Sequence, residues 1–228
     1  MSKKQVKLFP PLRGVYVDLS KVPDPVFAEK MVGDGFAIDP LENVLYSPID
    51  GKIKSIHRAK HAITLESESG FDILIHIGLE TVSLGGKGFD VKVKEGQLVK
   101  VGDKLTEFDM DYIAGNVVAL ITPVLVTDME EKQISIDILP HGVVTDLNQA
   151  IMLVTLGGEK AAQLADTSVA PVVASLESEL ITIPNTHGIH ARPAAQLNAI
   201  ARKYPNNEIL MLKGEQSANV KSVVSLLS

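Results

Sequence analysis

The sequence predicts a mainly β protein, in which a β-sandwich or barrel-like domain is followed by a shorter, incomplete α/β segment of order β-α-β-β-α. Short runs rich in β-branched residues recur between residues 10 and 156, separated by turn-forming pairs. This pattern is typical of antiparallel sandwiches and barrels. From Glu179 onward, strand-like runs alternate with helix-like runs instead. The predicted domains are therefore 1–156 and 179–228.

The stretch between these domains, residues 157–178, has a different composition. It is rich in small and polar residues and is interrupted by Pro171. This composition favours a flexible linker. A surface helix over part of the stretch is the alternative, because alanine is a strong helix former.

In the first domain, each predicted strand is a short apolar run bounded by turn signals. The predicted strands cover residues 14–19, 49–56, 62–66, 71–79, 97–103, 120–127 and 151–155. The turn pairs that separate many of them are Asp34-Gly35, Asp50-Gly51, Ser69-Gly70 and Glu95-Gly96. Residues 107–114 are expected to hold one helical turn.

The second domain begins with a predicted strand at residues 180–183. Pro193 is placed at the first position of the following helix, which runs to about residue 203. The N–H at that position has no partner within a helix, so proline, which lacks an N–H, loses nothing there. A strand at 208–212, a turn at Lys213-Gly214, and the run 217–220 that leads into a second helix near Ser222 complete the order.

Composition limits the classes of function. The chain has 228 residues, 45% of them hydrophobic, and a net charge of −6, so no nucleic-acid partner is expected. It has no cysteine, which excludes disulfides, cysteine-bound zinc and a thiol nucleophile and fits a reducing compartment. The sequence shows neither a signal peptide nor an apolar run of membrane-spanning length. A soluble, cytoplasmic protein is expected.

The most informative motif is Gly188-Ile189-His190-Ala191-Arg192-Pro193-Ala194-Ala195. It places His190 at the start of a helix, where unpaired N–H groups and the helix dipole attract anions. Arg192 adds a guanidinium suited to bidentate contact with phosphate. A neutral imidazole here could attack phosphorus, with counter-charges already in place. The alternative is a histidine that only caps the helix.

A second pair of histidines is predicted to meet on a β-hairpin. His76 lies in the strand 71–79, and a tight turn at Ser69-Gly70 would bring His61 near residue 78, one or two positions from His76. Gly78 would leave room beside them for a partner or a phosphoryl group. Two imidazoles could form half a zinc site, a buried core pair, or a nucleophile with a supporting hydrogen-bond donor for phosphoryl transfer. Any transfer would require both rings to be within reach of a partner.

Two resemblances favour phosphoryl transfer. The octapeptide at His190 resembles the active site of HPr, the histidine phosphocarrier of the bacterial sugar phosphotransferase system, and this resemblance covers residues 179–228. Residues 10–156 resemble enzyme IIA of the glucose and N-acetylglucosamine class. The motifs that carry this second resemblance are 26–38, 47–51, the two histidine strands, Gly88-Phe89 and 95–103. It implies a β-sandwich or barrel-like fold.

The resemblances also imply roles for individual residues. In the first domain, His76 is expected to be phosphorylated and His61 to support it. In the second, His190 is expected to be phosphorylated and Arg192 to contact its phosphate. Ser222 falls where many HPr members carry a regulatory serine.

A docking surface for partner proteins is expected beside the histidine pair. Val26, Phe27, Phe36 and Ile38 are expected to form its apolar rim, with ordinary core packing as the alternative. Gly78 and Glu80 are also expected to contact partners. In the best-known members an aspartate stands where this chain has Glu80, and a threonine where it has Ala59.

The function implied is a phosphoryl relay. Phosphate would pass from phosphoenolpyruvate through enzyme I to His190, then to His76, and on to a membrane sugar permease component (enzyme IIB/IIC) of the glucose or N-acetylglucosamine type. HPr is a further expected partner. No cofactor would be required; Mg²⁺ would serve enzyme I, and zinc would bind His61 and His76 only at a regulatory partner interface.

Two other functions remain open at this stage. One is a regulatory binding protein whose phosphorylation state controls partner enzymes and transporters. The other is a zinc hydrolase built on the paired histidines.

The HPr fold needs one more strand and one more helix than residues 179–228 supply. This segment is therefore expected to pack poorly alone and to come from a longer chain in which an enzyme I module follows.

Overall fold

A computed structural model describes residues 4–139, 142–157, 177–178, 180, 189, 191–204, 206–214, 216–222 and 225–226. The strands are β1 Lys4–Leu8, β2 Gly14–Asp18, β3 Asp34–Pro40, β4 Val44–Tyr46, β5 Gly51–Ile56, β6 Ala62–Ser67, β7 Asp72–His76, β8 Phe89–Val91, β9 Leu98–Val99, β10 Lys104–Phe108, β11 Thr122–Val126, β12 Ile134–Ile138, β13 Val143–Val144, β14 Met152–Leu156, β15 Leu210–Lys213 and β16 Gln216–Asn219. The helices are α1 Pro25–Ala28, α2 Met110–Ala114 and α3 Ala191–Ala201, with 3₁₀ turns at Leu19–Lys21 and Thr81–Leu84. The prediction of a mainly β fold is confirmed.

An eight-stranded sheet forms the centre of the first domain. Its order is β13-β2-β3-β11-β7-β6-β5-β9, and every neighbouring pair is antiparallel. Two three-stranded sheets, β1-β14-β12 and β4-β10-β8, accompany it. Since β7 and β11 are buried along their whole length, the two central strands are covered on both faces.

The two faces of β7 belong to different apolar clusters. Ile73 and Ile75 pack into the large core, whereas Leu74 packs into a second cluster on the other face. This is the alternation that the sequence predicts. Leu79 departs from it, since it joins the second cluster although the alternation would place it with Ile73. The backbone at Gly78 has φ +68°, which ends the extended strand and redirects the chain.

One predicted turn is in fact the start of a strand. Asp34-Gly35 opens β3, where Asp34 pairs with Val126. A Cβ at Gly35 would lie 2.1 Å from the Val124 carbonyl oxygen, so glycine is required by the close approach of two backbones. The turn at Ser69-Gly70 is confirmed, because β6 and β7 pair directly across it. The helical turn expected at 107–114 is α2.

In the second domain, the structure describes a helix and a hairpin. Met211 of β15 pairs with Ala218 of β16, and Gly214 turns between them at φ +60°. Pro193 is the third residue of α3 rather than the first, because the helix begins at Ala191. Residues 181–183 of the strand predicted at 180–183 and most of the predicted linker lie outside the described residues. The domain boundaries stay predictions.

In the part of the chain that the structure describes, no helix is long and apolar enough to cross a membrane.

Candidate functional site

The two predicted imidazoles lie side by side. His76 ends β7 and pairs with Ala62 of β6. His61 therefore stands opposite Ile77, whose N–H donates to the His61 carbonyl oxygen at 2.8 Å. The centroids of the two rings are 4.6 Å apart, at an interplanar angle of 70°. The predicted register is one residue off, but the predicted juxtaposition of the histidines is correct.

The hydrogen bond of His76 defines its protonation. Its Nδ1 lies 2.8 Å from the Gly78 carbonyl oxygen, and a carbonyl only accepts hydrogen bonds. Nδ1 therefore carries the proton, and in the neutral ring Nε2 has the lone pair. Nε2 is the nitrogen of His76 that can act as a nucleophile.

Gly78 has a structural role inside the domain, and its role in docking stays a prediction. Its φ of +68° is in the left-handed region, and a Cβ there would lie 2.8 Å from Thr81 Cγ2 and 3.1 Å from the Ala119 carbonyl oxygen. Leu79 N–H donates to that same Ala119 oxygen at 2.8 Å. Glycine is thus needed to let the chain turn and present its carbonyl to His76 Nδ1. Glu80 is exposed, and its role in docking stays a prediction.

A third histidine, which the sequence analysis did not include, extends the pair into a row. The His57 ring lies 4.6 Å from that of His61, at 63°. His57 follows β5 directly, and its N–H donates to the Ala62 carbonyl oxygen at 2.9 Å. The signal that could have found it is the β5–β6 hairpin, which brings residue 57 beside residue 62. Together with Ser55 and Thr64, the three rings line a cavity of about 10 Å³.

Apolar side chains of α1 cover one side of the pair. The Phe27 ring meets that of His76 edge-on, at a centroid distance of 5.2 Å. Asp24 caps this short helix by accepting from Val26 N–H at 2.9 Å, and Pro25 occupies its first turn. Val26 and Phe27 are 3% and 2% exposed, and both belong to the cluster beside the histidines.

Phe36 and Ile38 do not form part of a docking rim. Both are fully buried in the large core on the opposite face of the central sheet. Since side chains alternate along β3, Ala37 between them belongs to the cluster on the histidine side. The alternative of ordinary core packing is therefore the correct one for Phe36 and Ile38.

The second domain packs on the histidine side of the first. Ala194 and Ala195 of α3 are buried in the same cluster as Val26 and Phe27. In this arrangement His76 is 7% exposed and His61 only 2% exposed. The access that a transfer reaction requires is therefore limited in this arrangement.

Two polar contacts join the domains at the edge of this apolar contact. Arg202 Nη1 lies 2.6 Å from Glu130 Oε2. The Ser222 hydroxyl donates to Asp128 Oδ2 at 3.1 Å, which connects the predicted regulatory serine to the first domain. The regulatory role of Ser222 stays a prediction. His190 lies outside the described residues; Arg192 is the second residue of α3, and its contact with phosphate stays a prediction.

Burial raises the pKa of the Asp128 carboxyl above its ordinary value of 3.8, although the hydrogen bond from Ser222 and the charge of Lys132 act to lower it. The nearby charges of Asp72 and Glu131 add to the rise. A raised pKa means that the folded chain holds the proton more tightly than the unfolded chain. Stability from this group is present at low pH and is lost as pH rises from about the ordinary value through the raised one.

The variant Asp128→Asn tests this reasoning, because asparagine keeps an oxygen that can accept from Ser222 and does not titrate. We expect the unfolding free energy of the variant to increase relative to that of the unmodified chain as pH rises from about 4 toward neutrality. Urea unfolding across a pH series measures the difference. A difference that stays constant with pH would contradict the assigned cause.

The described residues contain no group of three or more His, Cys, Asp or Glu side chains arranged to hold a metal ion. Zinc bound by His61 and His76 with help from a partner stays a prediction.

Comparison with known proteins agrees with this geometry. Residues 6–132 match the family described as phosphoenolpyruvate-dependent sugar phosphotransferase system, EIIA 1, and residues 177–228 match the PTS HPr component phosphorylation site. The PTS system glucose-specific EIIA component of Staphylococcus epidermidis is 45% identical over 130 residues, which are 57% of this chain and 78% of the relative. That of Staphylococcus aureus is 40% identical over 154 residues, 68% of this chain and 92% of the relative.

A solved structure also matches. Glucose permease IIA from Mycoplasma capricolum superimposes with a TM-score of 0.62 at 37% identity, covering 66% of this chain and 96% of its own. An antiparallel β domain with paired imidazoles, followed by an HPr-type segment, defines a phosphotransferase that carries phosphate on histidine. The chain belongs to the EIIA 1 family of the phosphoenolpyruvate-dependent sugar phosphotransferase system. The predicted family and class of activity are confirmed.

Proposed function

We propose that His76 Nε2 is the phosphoryl acceptor of the first domain and that His190 is its donor. The observation that carries the proposal is the hydrogen bond from His76 Nδ1 to the Gly78 carbonyl oxygen, because it directs the lone pair to Nε2. In the transfer, Nε2 attacks phosphorus in line, the P–N bond to the donor imidazole breaks, and the electron pair of that bond returns to the donor ring. The protein contributes to this transfer mainly by positioning the two rings and neutralising charge, and it supplies little further covalent chemistry.

His61 is proposed to support the phosphoryl group. Its ring, 4.6 Å from that of His76, is close enough to donate a hydrogen bond to an oxygen of a phosphoryl group on Nε2. Such a donor stabilises the charge that the transition state spreads over the phosphoryl oxygens. The two histidines thus have different roles although they are the same residue type.

The phosphate is proposed to come from phosphoenolpyruvate through enzyme I and the HPr-type second domain. It would leave for a membrane permease component of the glucose or N-acetylglucosamine type; the relatives in both Staphylococcus species are named glucose-specific. No resident cofactor is proposed. The expected cytoplasmic location stays a prediction, as does the alternative role in regulating partner proteins.

The test is a labelling experiment. The chain is incubated with enzyme I and phosphoenolpyruvate labelled with ³²P, without added HPr so that the second domain is the carrier, and the label is mapped to peptides. Phosphate that is stable in base, labile in acid and attached to the peptide containing His76 supports the proposal. Label restricted to serine, or none on that peptide, would defeat it.

The contacts between the domains favour transfer within one chain. Packing of α3 against α1 keeps donor and acceptor domains together, and tethering raises the effective concentration of one for the other. The rate of transfer from the second domain to His76 should therefore be independent of protein concentration.

Charge reversal at the contact between Arg202 and Glu130 provides a direct test. Glu130→Arg should slow transfer within the chain by about two- to fivefold, because an exposed pair of this kind is worth about 0.2–1 kcal/mol. The double change Glu130→Arg with Arg202→Glu should restore the rate. Rapid-quench measurement of label passing to His76 gives both rates. A double variant slower than the single one would show that the pair does not hold the domains together.

A further inference from the structure

We propose that His57 is a positioning residue for phosphoryl transfer, acting through His61. The inference rests on the proposed function of His76 and His61. His57, His61 and His76 form a row in which both neighbouring pairs of rings have centroids 4.6 Å apart. His61 is the middle member, so its orientation is set from one side by His57 and from the other by His76.

The orientation of His57 is itself fixed by the backbone. The Ala59 N–H donates to His57 Nδ1 at 3.1 Å, so Nδ1 accepts and the neutral ring carries its proton on Nε2.

A tight turn holds this arrangement. Lys60 N–H donates to the His57 carbonyl oxygen at 2.6 Å, and Lys60 itself has a left-handed φ of +58°. On the other side, His57 N–H donates to the Ala62 carbonyl oxygen at 2.9 Å. Both backbone groups of His57 are therefore committed to the turn that leads into β6, and the ring has a defined place beside His61.

The consequence for catalysis follows from packing. His61 must keep its donor aimed at the phosphoryl oxygens on His76, and a shift of about 1 Å can cost on the order of 10²-fold in rate. The His57 ring packs against that of His61, and both rings line the cavity of about 10 Å³. Removing the His57 ring would enlarge this space and leave the His61 ring without that contact.

The test is a double-mutant cycle in the full chain. The variants His57→Ala, His61→Gln and the combination of both are phosphorylated with enzyme I and phosphoenolpyruvate, and label on His76 is followed to its plateau so that slow variants are also measured. We expect His57→Ala to lower the rate of transfer from the second domain to His76 about tenfold while the labelling of the second domain itself stays unchanged. In the His61→Gln background the same change should have no further effect, because residues that act through one another are not additive.

His57→Phe is the matched control, because it keeps a planar ring and loses the nitrogens. It should recover most of the rate lost in His57→Ala, as expected for a residue that acts by packing. Circular dichroism and urea unfolding confirm that each variant is folded. Histidine ¹⁵N spectra of the unmodified chain should show His57 protonated on Nε2 and His76 on Nδ1.

Two results would overturn the proposal. One is an unchanged transfer rate in His57→Ala. The other is an equal loss from His57→Ala with and without His61, which would show that His57 acts independently of it. Failure of the proposed function would be seen in a different measurement. The first domain of His76→Asn would still carry label, regardless of the transfer rates of the His57 variants.

Discussion

His76→Asn is expected to remove phosphoryl label from the first domain, a loss of at least about 10³-fold in transfer rate. Asparagine is the informative replacement, because its amide N–H₂ can occupy the place of Nδ1 and keep the hydrogen bond to the Gly78 carbonyl oxygen, which His76 makes at 2.8 Å. It has no counterpart of Nε2. The variant therefore tests the nucleophile while leaving the surrounding geometry intact.

His61→Gln is the comparison within the site. Glutamine retains a donor but not the imidazole, so its transfer rate should fall by about 10²-fold, and label should still reach His76 at long times. Both variants are measured by rapid quench with label mapped to peptides. Full labelling of the first domain in His76→Asn would refute the assignment of the nucleophile.

Phe36→Ala is expected to lower the free energy of unfolding of the first domain by about 3–5 kcal/mol, the range for deleting a buried phenylalanine side chain. Phe36 is fully buried in the large core, and its ring stacks on that of Tyr16 at a centroid distance of 6.4 Å. Its strand, β3, pairs with both β2 and β11, so the cavity would open between central strands. Urea unfolding followed by circular dichroism measures the loss.

Leu41→Ala is the matched control, because Leu41 follows the same strand and is 66% exposed. It should change the unfolding free energy by less than about 0.5 kcal/mol. If Phe36→Ala left stability unchanged and weakened only the binding of partner proteins, Phe36 would belong to a docking surface after all.

The sequence was sufficient for the features that depend on neighbours along the chain. The turn at Ser69-Gly70 joins β6 and β7, and a hairpin with a short turn has few possible registers. The meeting of His61 with His76 therefore followed from the position of the turn, to within one residue. The helix and the two strands that the structure describes in the second domain also occur in the predicted order, since each has its own periodicity and boundary residues.

Features that depend on which surfaces meet were not predictable in the same way. The apolar pattern of β3 shows that Phe36 and Ile38 share a face, but it does not say which face of the sheet the large core covers. His57 is a different case, because its place beside His61 follows from the local β5–β6 hairpin, and β7 then adds His76 to the row.

What the sequence by itself determined was the mainly β fold, the phosphocarrier motifs and the pair His61 and His76. The tertiary structure alone decided the burial of Phe36 and the packing of α3 on the histidine side, with Ser222 hydrogen-bonded to Asp128 across 94 residues. The physical reason is the range of the interactions. Turns and periodicity act over a few residues, whereas burial is decided by segments far apart in the chain that compete for the same apolar surface.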